Sequence, residues 1–315
     1  MRNIAAILIL VLCLMFTTAC IEKGETQTPI PSRESKIPSD AVKMGPDNDP
    51  HPPILHAQGW EEPVPAPGPI NTAGGEDAPF ITADGGSIFF FFTPDLSVPE
   101  EEQLLDGVTG IYQSRWDGDT WGEPERLILN DDIALDGCPF AMGDRLWFCS
   151  ARAGFQGFQW FTAAYSGGNW KNWQEAGFDP AYDVGELHIT ADGEELYYHS
   201  DRTGSRGLND IWVSRKTSDG WGEPENVAAV NTPENESRPF ITADGQALWF
   251  TRQYKGTPAI FRSARQAGGW GKPELILSQF AGEPTLNPSG DIYFVHHYFK
   301  EGEMIEVDIY VAYKK

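Results

Sequence analysis

The sequence predicts an all-β fold, a five-bladed β-propeller of four-stranded blades. Three observations carry this. A hairpin phrase recurs five times, a tryptophan phrase recurs beside it, and the two ends of the chain are incomplete in complementary ways. Four strands every 40–50 residues or so is the period of a propeller blade.

The hairpin is clearest at Phe240-Ile241-Thr242-Ala243-Asp244-Gly245, which runs into Ala247-Leu248-Trp249-Phe250. A strand, an Asp-Gly turn and a second apolar strand are the expected reading. Phe80 to Gly85 and Ile189 to Gly193 repeat it, Leu286 to Gly290 is a looser copy, and Cys138 to Asp144 is a shortened one. A third strand follows each hairpin, as in Gly110-Ile111-Tyr112, Asp210-Ile211-Trp212 and Asp308-Ile309-Tyr310. The tryptophan phrase supplies the fourth: Trp121-Gly122-Glu123-Pro124, Trp221-Gly222-Glu223-Pro224 and Trp270-Gly271-Lys272-Pro273, with a degenerate version at Trp170. The chain opens with a lone copy, Trp60-Glu61-Glu62-Pro63, and stops after a third strand at Tyr313. Pairing those ends closes a ring of five and leaves no open sheet edge.

Three segments are expected. Residues 1–19 combine a basic start at Arg2 with an apolar run from Ile4 to Phe16, too short for a comfortable membrane span. The following Thr17-Thr18-Ala19-Cys20 resembles the lipobox of prokaryotic lipoproteins, which implies lipidation of Cys20 and a membrane-anchored, extracytoplasmic protein. Residues 20–58 contain Pro29, Pro31, Pro38, Pro46, Pro50, Pro52 and Pro53 and read as a disordered tether. Residues 59–315 form the propeller.

Ile189-Thr190-Ala191-Asp192-Gly193, Ser200-Asp201-Arg202-Thr203-Gly204, Asp210-Ile211-Trp212 and Trp221-Gly222-Glu223-Pro224 with Asn231-Thr232 resemble the WD40-like (PD40) repeat of TolB-type propellers. The resemblance spans roughly Gly59 to the C-terminus and is clearest in blades three and four. It implies an extracytoplasmic propeller that binds a protein or other ligand and is sometimes attached to an enzyme. Propellers host many chemistries, so function has to be read from the site.

The charge narrows the partners. Lys and Arg number 23 against 46 Asp and Glu, a net −23, which argues against nucleic acid. The innermost strands line the axis of a propeller. Alternation places Glu76, Asp136, Glu186, Glu236 and Glu283 near it, with Arg238 as the cation in that register. Asp77 and Asp183 lie beside these positions and join them if local bulges turn them inward. Three readings stay open. The acids can be part of the repeat, capping nearby backbone N–H groups, which explains Glu76, Asp136 and Glu236 better than Glu186 and Glu283. They can bind a polar ligand or a cation, Ca²⁺ being the ion an oxygen-rich ring would take. Or Asp77, Asp136 and Glu186 can serve glycoside hydrolysis as acid and base or nucleophile, with Trp147, Trp160, Trp249 and Tyr254 available as sugar platforms.

The favoured expectation is a monomeric, non-catalytic module that binds a protein, a carbohydrate or another polar ligand at the funnel, without a cofactor. A glycoside-active enzyme is the alternative. Cys138 and Cys149, placed opposite each other, predict a cross-strand disulfide, the alternative being two buried thiols. His296 and His297 are adjacent on a strand, so one is expected in the core and one on the surface. There is no Gly-rich phosphate loop, His-Glu-x-x-His, Cys-x-x-Cys or Gly-x-Ser-x-Gly.

Overall fold

The computed structural model describes residues 31–129 and 134–315. Cys20 and the first 19 residues lie outside that range. The described chain is all-β, built of four-stranded antiparallel meanders.

Unit one comprises Gly75–Ile81, Ser87–Thr93, Gly110–Arg115 and Glu125–Arg126. Unit two is Ala134–Met142, Arg145–Arg152, Gln159–Ser166 and Asn169–Glu175. Unit three is Leu187–Ile189, Glu195–Ser200, Asp210–Thr217 and Glu225–Asn226. Unit four is Glu236–Ile241, Ala247–Tyr254, Thr257–Gln266 and Glu274–Ser278. Unit five has Ala281–Leu286, Ile292–Lys300 and Glu303–Ala312, and its fourth strand is Val64–Pro65, from the opposite end of the sequence. Trp60 extends that pairing by bridging to Lys314. A parallel bridge between Val307 and Gly75 joins units five and one.

Local chemistry explains the repeats. In Thr-Ala-Asp-Gly the Asp closes the loop: Asp84 Oδ1 accepts from Thr82 Oγ1 at 2.6 Å and from Gly86 N at 2.9 Å. Asp192 and Asp244 do the same in units three and four. These bonds hold all three carboxyls below the usual carboxylate range. The following glycine has φ of +73, +75 and +68° at Gly85, Gly193 and Gly245, which a side chain would disfavour. The serine of each third strand explains the tryptophan phrase. Ser114, Ser214 and Ser263 donate to the carbonyls of Gly122, Gly222 and Gly271 at 2.6, 2.5 and 2.7 Å. The fourth strands pair just after the Trp-Gly-x-Pro segment, at Glu125, Glu225 and Glu274.

The tryptophans then join one unit to another. Trp170 of unit two meets Phe89 of unit one edge-on at 6.0 Å, and Trp270 of unit four meets Tyr197 of unit three at 6.1 Å. Trp60, beside the fourth strand of unit five, meets Trp249 of unit four at 5.7 Å. Trp121 of unit one meets Tyr293 of unit five at 6.1 Å. Edge-on aromatic pairs contribute about 0.5–1.5 kcal/mol each beyond the area they bury.

One expectation is corrected for residues 31–58. This part of the expected tether lies on the β-structure. Arg33, in a short 3₁₀ turn Arg33–Lys36, is 4% exposed and reaches Glu76 at 3.3 Å and the Pro69 and Ile70 carbonyls at 2.6 and 2.8 Å. Lys43 pairs with Glu306 and Asp308. Asp49 pairs with His296 at 2.8 Å. Ile54–Leu55 adds a further strand beside Glu274–Ser278. Prolines and charges gave the segment the composition of a free linker, but Arg33 and Lys43 find buried carboxylates and Asp49 finds the buried His296 imidazole.

Candidate functional site

The first strands of the five units converge on one axis, and a bulge governs what each presents there. Ladder register shifts between Asp77 and Phe80, Gly137 and Phe140, Ser237 and Phe240, and Gly282 and Thr285. In each, the residue before proline adopts a left-handed conformation: Ala78 (φ +49°), Cys138 (+51°), Arg238 (+53°) and Glu283 (+55°). Each costs on the order of 1–2 kcal/mol in backbone strain. Glu186, before Leu187, takes the corresponding place in unit three. These five residues line a common cavity with the residues that follow them.

The bulge overturns simple alternation, which had put Glu76, Asp136 and Glu236 on the axis. They turn away from it. Glu76 accepts from Thr72 N and Oγ1 at 3.0 and 2.7 Å and faces Arg33. Glu236 accepts from Thr232 N at 3.0 Å and pairs with Arg252 at 2.6 Å. Asp136 accepts from Ser150 Oγ at 2.6 Å and pairs with Arg152 at 2.8 Å. The guanidiniums lie over aromatic rings: Arg33 over Phe90, Phe92 and Tyr112, Arg152 over Phe148, Phe161 and Trp173, and Arg252 over Phe250 and Phe261. Glu76 and Glu236 thus cap a backbone N–H as the repeat reading expected, whereas Asp136 is held by side chains alone, and a stacked arginine is common to all three.

Glu186, Arg238 and Glu283 do come together. Arg238 Nε lies 2.9 Å from Glu186 Oε2 and 2.7 Å from Glu283 Oε1. Both are charge contacts at Nε, whose single N–H is aligned with neither oxygen, and the two terminal nitrogens of the fork remain as donors. Burial works against the Arg238 charge, but Glu186, Glu283 and Asp77 outweigh it and raise its pKa. Burial pushes Glu186 up while Arg238 pulls it down. Glu283 is pushed well up, first by burial and then by Asp77 and Glu186, against the pull of Arg238. Thr251 Oγ1 accepts from Glu283 N at 2.8 Å and ties this strand to unit four.

Asp77 joins this group, as a local bulge allowed. It shares a cavity of about 270 Å³ with Arg238, Glu283 and His297. Asp183 does not. It lies by Ser200, and its pKa is raised, first by a hydrogen bond with Asp201 and then by burial. His296 is fully buried against Asp49, whereas the half-buried His297 faces the cavity rather than open surface.

Cys138 and Cys149 are free thiols, not the expected disulfide. Cys149 is opposite Gly137, one residue from the expected partner, just as Thr251 is opposite Ser237 and not Arg238. The thiols remain in contact, and a hydrogen bond to Cys149, then burial, raises the Cys138 pKa well above the usual thiol value.

One step along each strand from the bulge, Phe80, Phe140, His188 and Phe240 pack in sequence around the axis, with centroids 4.9, 4.9 and 4.7 Å apart. Thr285 takes the fifth place and accepts from Ile81 N at 3.0 Å. His188 Nδ1 accepts from Ile241 N at 2.8 Å, and burial lowers its pKa to about 3, so the ring stays neutral. Beyond this layer, on the turn side, a cavity of about 640 Å³ is lined by Ile81, Met142, Ile189, Ile241 and Leu286. One face of the layer is charged; the other carries this apolar lining together with Asp84, Asp244 and Asn287.

The suggested sugar platforms are structural. Trp249 is buried on Trp60, Trp147 packs on Phe140, Trp160 donates to the Val184 carbonyl at 2.8 Å and Tyr254 packs on Phe261. None of the four lines the cavities around Arg238.

No protein-family model matches the chain, and no curated protein matches it. Solved structures similar to it include a gluconolactonase from Xanthomonas campestris (12% identity, TM-score 0.49, covering 87% of this chain and 99% of that one). TolB from Acinetobacter baumannii is similar at 15% identity and TM-score 0.46, covering 78% of this chain and 56% of that one, so the chain spans little more than half of TolB. A GH62 hydrolase is similar at 11% identity and TM-score 0.44, covering 80% and 96%.

Proposed function

We propose that the five units are the blades of a TolB-like, PD40-type five-bladed β-propeller, closed where Val64–Pro65 completes unit five. The tryptophan contacts support this reading: they run from unit five to four, four to three and two to one, and Trp121 on Tyr293 returns from one to five. The Thr285 bond to Ile81 N spans the same seam.

The propeller is read as an extracytoplasmic lipoprotein, held at a membrane through Cys20, whose anchor rests on the sequence alone. Its role is to bind a protein, glycan or other polar ligand without catalysis. The observation that carries this is the Arg238 guanidinium, held between the charges of Glu186 and Glu283 and lining two adjoining cavities. A charged fork placed there suits planar oxygen acceptors such as carboxylates. The proposed catalytic set of Asp77, Asp136 and Glu186 is disfavoured because Asp136 is taken up by Ser150 and Arg152.

A screen of the domain against glycan and acidic-peptide panels, reading both binding and product release, tests this. Binding without product, lost in Arg238→Met, is expected. Turnover abolished by Glu186→Gln would overturn the binding-only reading.

A further inference from the structure

Three side chains beside Arg238 meet in a way that binding through the guanidinium does not use. Asp77, Glu283 and His297 each offer a ligand atom, and the three atoms lie within 4.8 Å of one another. They come from three strands, Gly75–Ile81, Ala281–Leu286 and Ile292–Lys300, so the grouping belongs to the seam between units five and one.

Glu283 is the informative member. Its side chain is 5% exposed, and Oε1 is engaged by Arg238 at 2.7 Å. Its Oε2 is buried with no hydrogen-bond partner, and so is Asp77 Oδ1. A buried carboxylate oxygen left unpaired is costly, and two side by side are more so. The imidazole is held ready. His297 Nδ1 lies 3.2 Å from the Phe280 carbonyl, which can only accept, so Nδ1 carries the proton and the lone pair sits on Nε2. A histidine whose other nitrogen donates to a backbone carbonyl is oriented as a metal ligand commonly is.

We propose that Asp77, Glu283 and His297 form a binding site for a divalent transition-metal ion of the Zn²⁺ or Mn²⁺ class. An imidazole with two carboxylates favours such borderline ions over Ca²⁺ or Mg²⁺, which prefer all-oxygen sets. Ligand atoms about 2.0–2.2 Å from a shared ion sit about 3.4 Å apart in a tetrahedral arrangement, so modest side-chain closure completes the site. The surrounding cavity of about 270 Å³, lined also by Asn235, Ser237, Thr251 and Gln253, has room for water in the remaining positions. The site stands independently of what ligand Arg238 takes.

The test uses the tag-free chain after chelator treatment, titrated with ZnCl₂ and MnCl₂ by calorimetry and with CoCl₂ by visible absorption. One saturable equivalent per chain is expected, with a cobalt band shaped by nitrogen and oxygen ligands. Asp77→Asn and His297→Gln should each weaken binding by more than about 100-fold, since losing even an outer-shell partner costs 10- to 100-fold. Removing a like charge from the cluster should leave the metal-free melting temperature of Asp77→Asn unchanged or higher, which checks the fold. If that variant does not fold, the wild-type cobalt spectrum and its loss in His297→Gln decide. No saturable binding, or binding retained in His297→Gln, overturns the site and leaves Asp77 and Glu283 as a carboxyl pair sharing a proton.

Discussion

Arg33 Nη1 lies 3.3 Å from Glu76 Oε1, although 43 positions separate the two in sequence. In units two and four the matching arginines, Arg152 and Arg252, come from the second strand of the same unit. Unit one has Phe92 opposite Glu76, and the N-terminal segment supplies the missing guanidinium. Arg33→Ala therefore strands a buried carboxylate, and at pH 8 it should destabilise the domain by about 3–5 kcal/mol in urea unfolding. Adding Glu76→Gln should recover most of that. A double variant as unstable as the single would show that Arg33 acts only through its carbonyl bonds and packing.

Glu76 also predicts a pH dependence. Burial, countered by bonds from Thr72 and the charge of Arg33, raises its pKa from 4.5 to about 7. Between those values the folded state keeps a proton that the unfolded state has released. Its contribution is therefore full below pH 4.5 and is lost as pH rises through 7. His188 works in the opposite sense. Its lowered pKa costs stability as pH falls below 6.5. The wild-type profile sums these two with the other shifted groups, among them Glu186, Glu283 and Asp308. The difference between wild type and Glu76→Gln isolates the first, and it should change by on the order of 2–3 kcal/mol between pH 4.5 and 7.5. A flat difference would remove the carboxyl from the account.

Closure of the ring is open to direct measurement. Trp121 and Trp170 make equivalent edge-on contacts, one across the seam of units one and five and the other between units two and one. In a closed propeller, Trp121→Ala and Trp170→Ala should each cost about 3–5 kcal/mol and leave a single unfolding transition. An open array would show a small cost at Trp121 and separate transitions.

The thiols give a chemical readout. Cys138 is held protonated by its bond to Cys149 and by burial, so alkylation of the native domain at pH 7.5 should be slower than for an exposed cysteine. After denaturation without reductant, two thiols per mature domain should react, beyond Cys20. A mass two hydrogens lighter and no reaction would show that the strands shift to join them.

The repeats made the meanders legible, because Asp-Gly loops and tryptophan phrases carry their own local chemistry. Glu186, Arg238 and Glu283 were legible too, through their place around the axis. What alternation could not give was the sorting of the acids. A bulge before proline inverts facing, so Glu76, Asp136 and Glu236 left the axis, and the cysteine register moved by one. Aligning the chain on the residue before Pro79, Pro139, Pro239 and Pro284 would have gathered Ala78, Cys138, Arg238 and Glu283 directly. Arg33, Lys43 and Asp49 were hidden for a different reason. Their partners Glu76, Glu306, Asp308 and His296 are distant in sequence, and no local pattern marks such pairs.

The layer of Phe80, Phe140, His188 and Phe240 has a consequence for traffic. If these rings seal the axis of the proposed propeller, the charged and the apolar cavities are two back-to-back cul-de-sacs instead of a corridor. A guest in the charged chamber must depart by the doorway it used to arrive, and an oily guest in the other chamber never meets it. News of occupancy can pass between them only if the aromatic wall itself shifts. His188, held by Ile241 N and edge-on to Phe140, is the brick whose movement both chambers would feel.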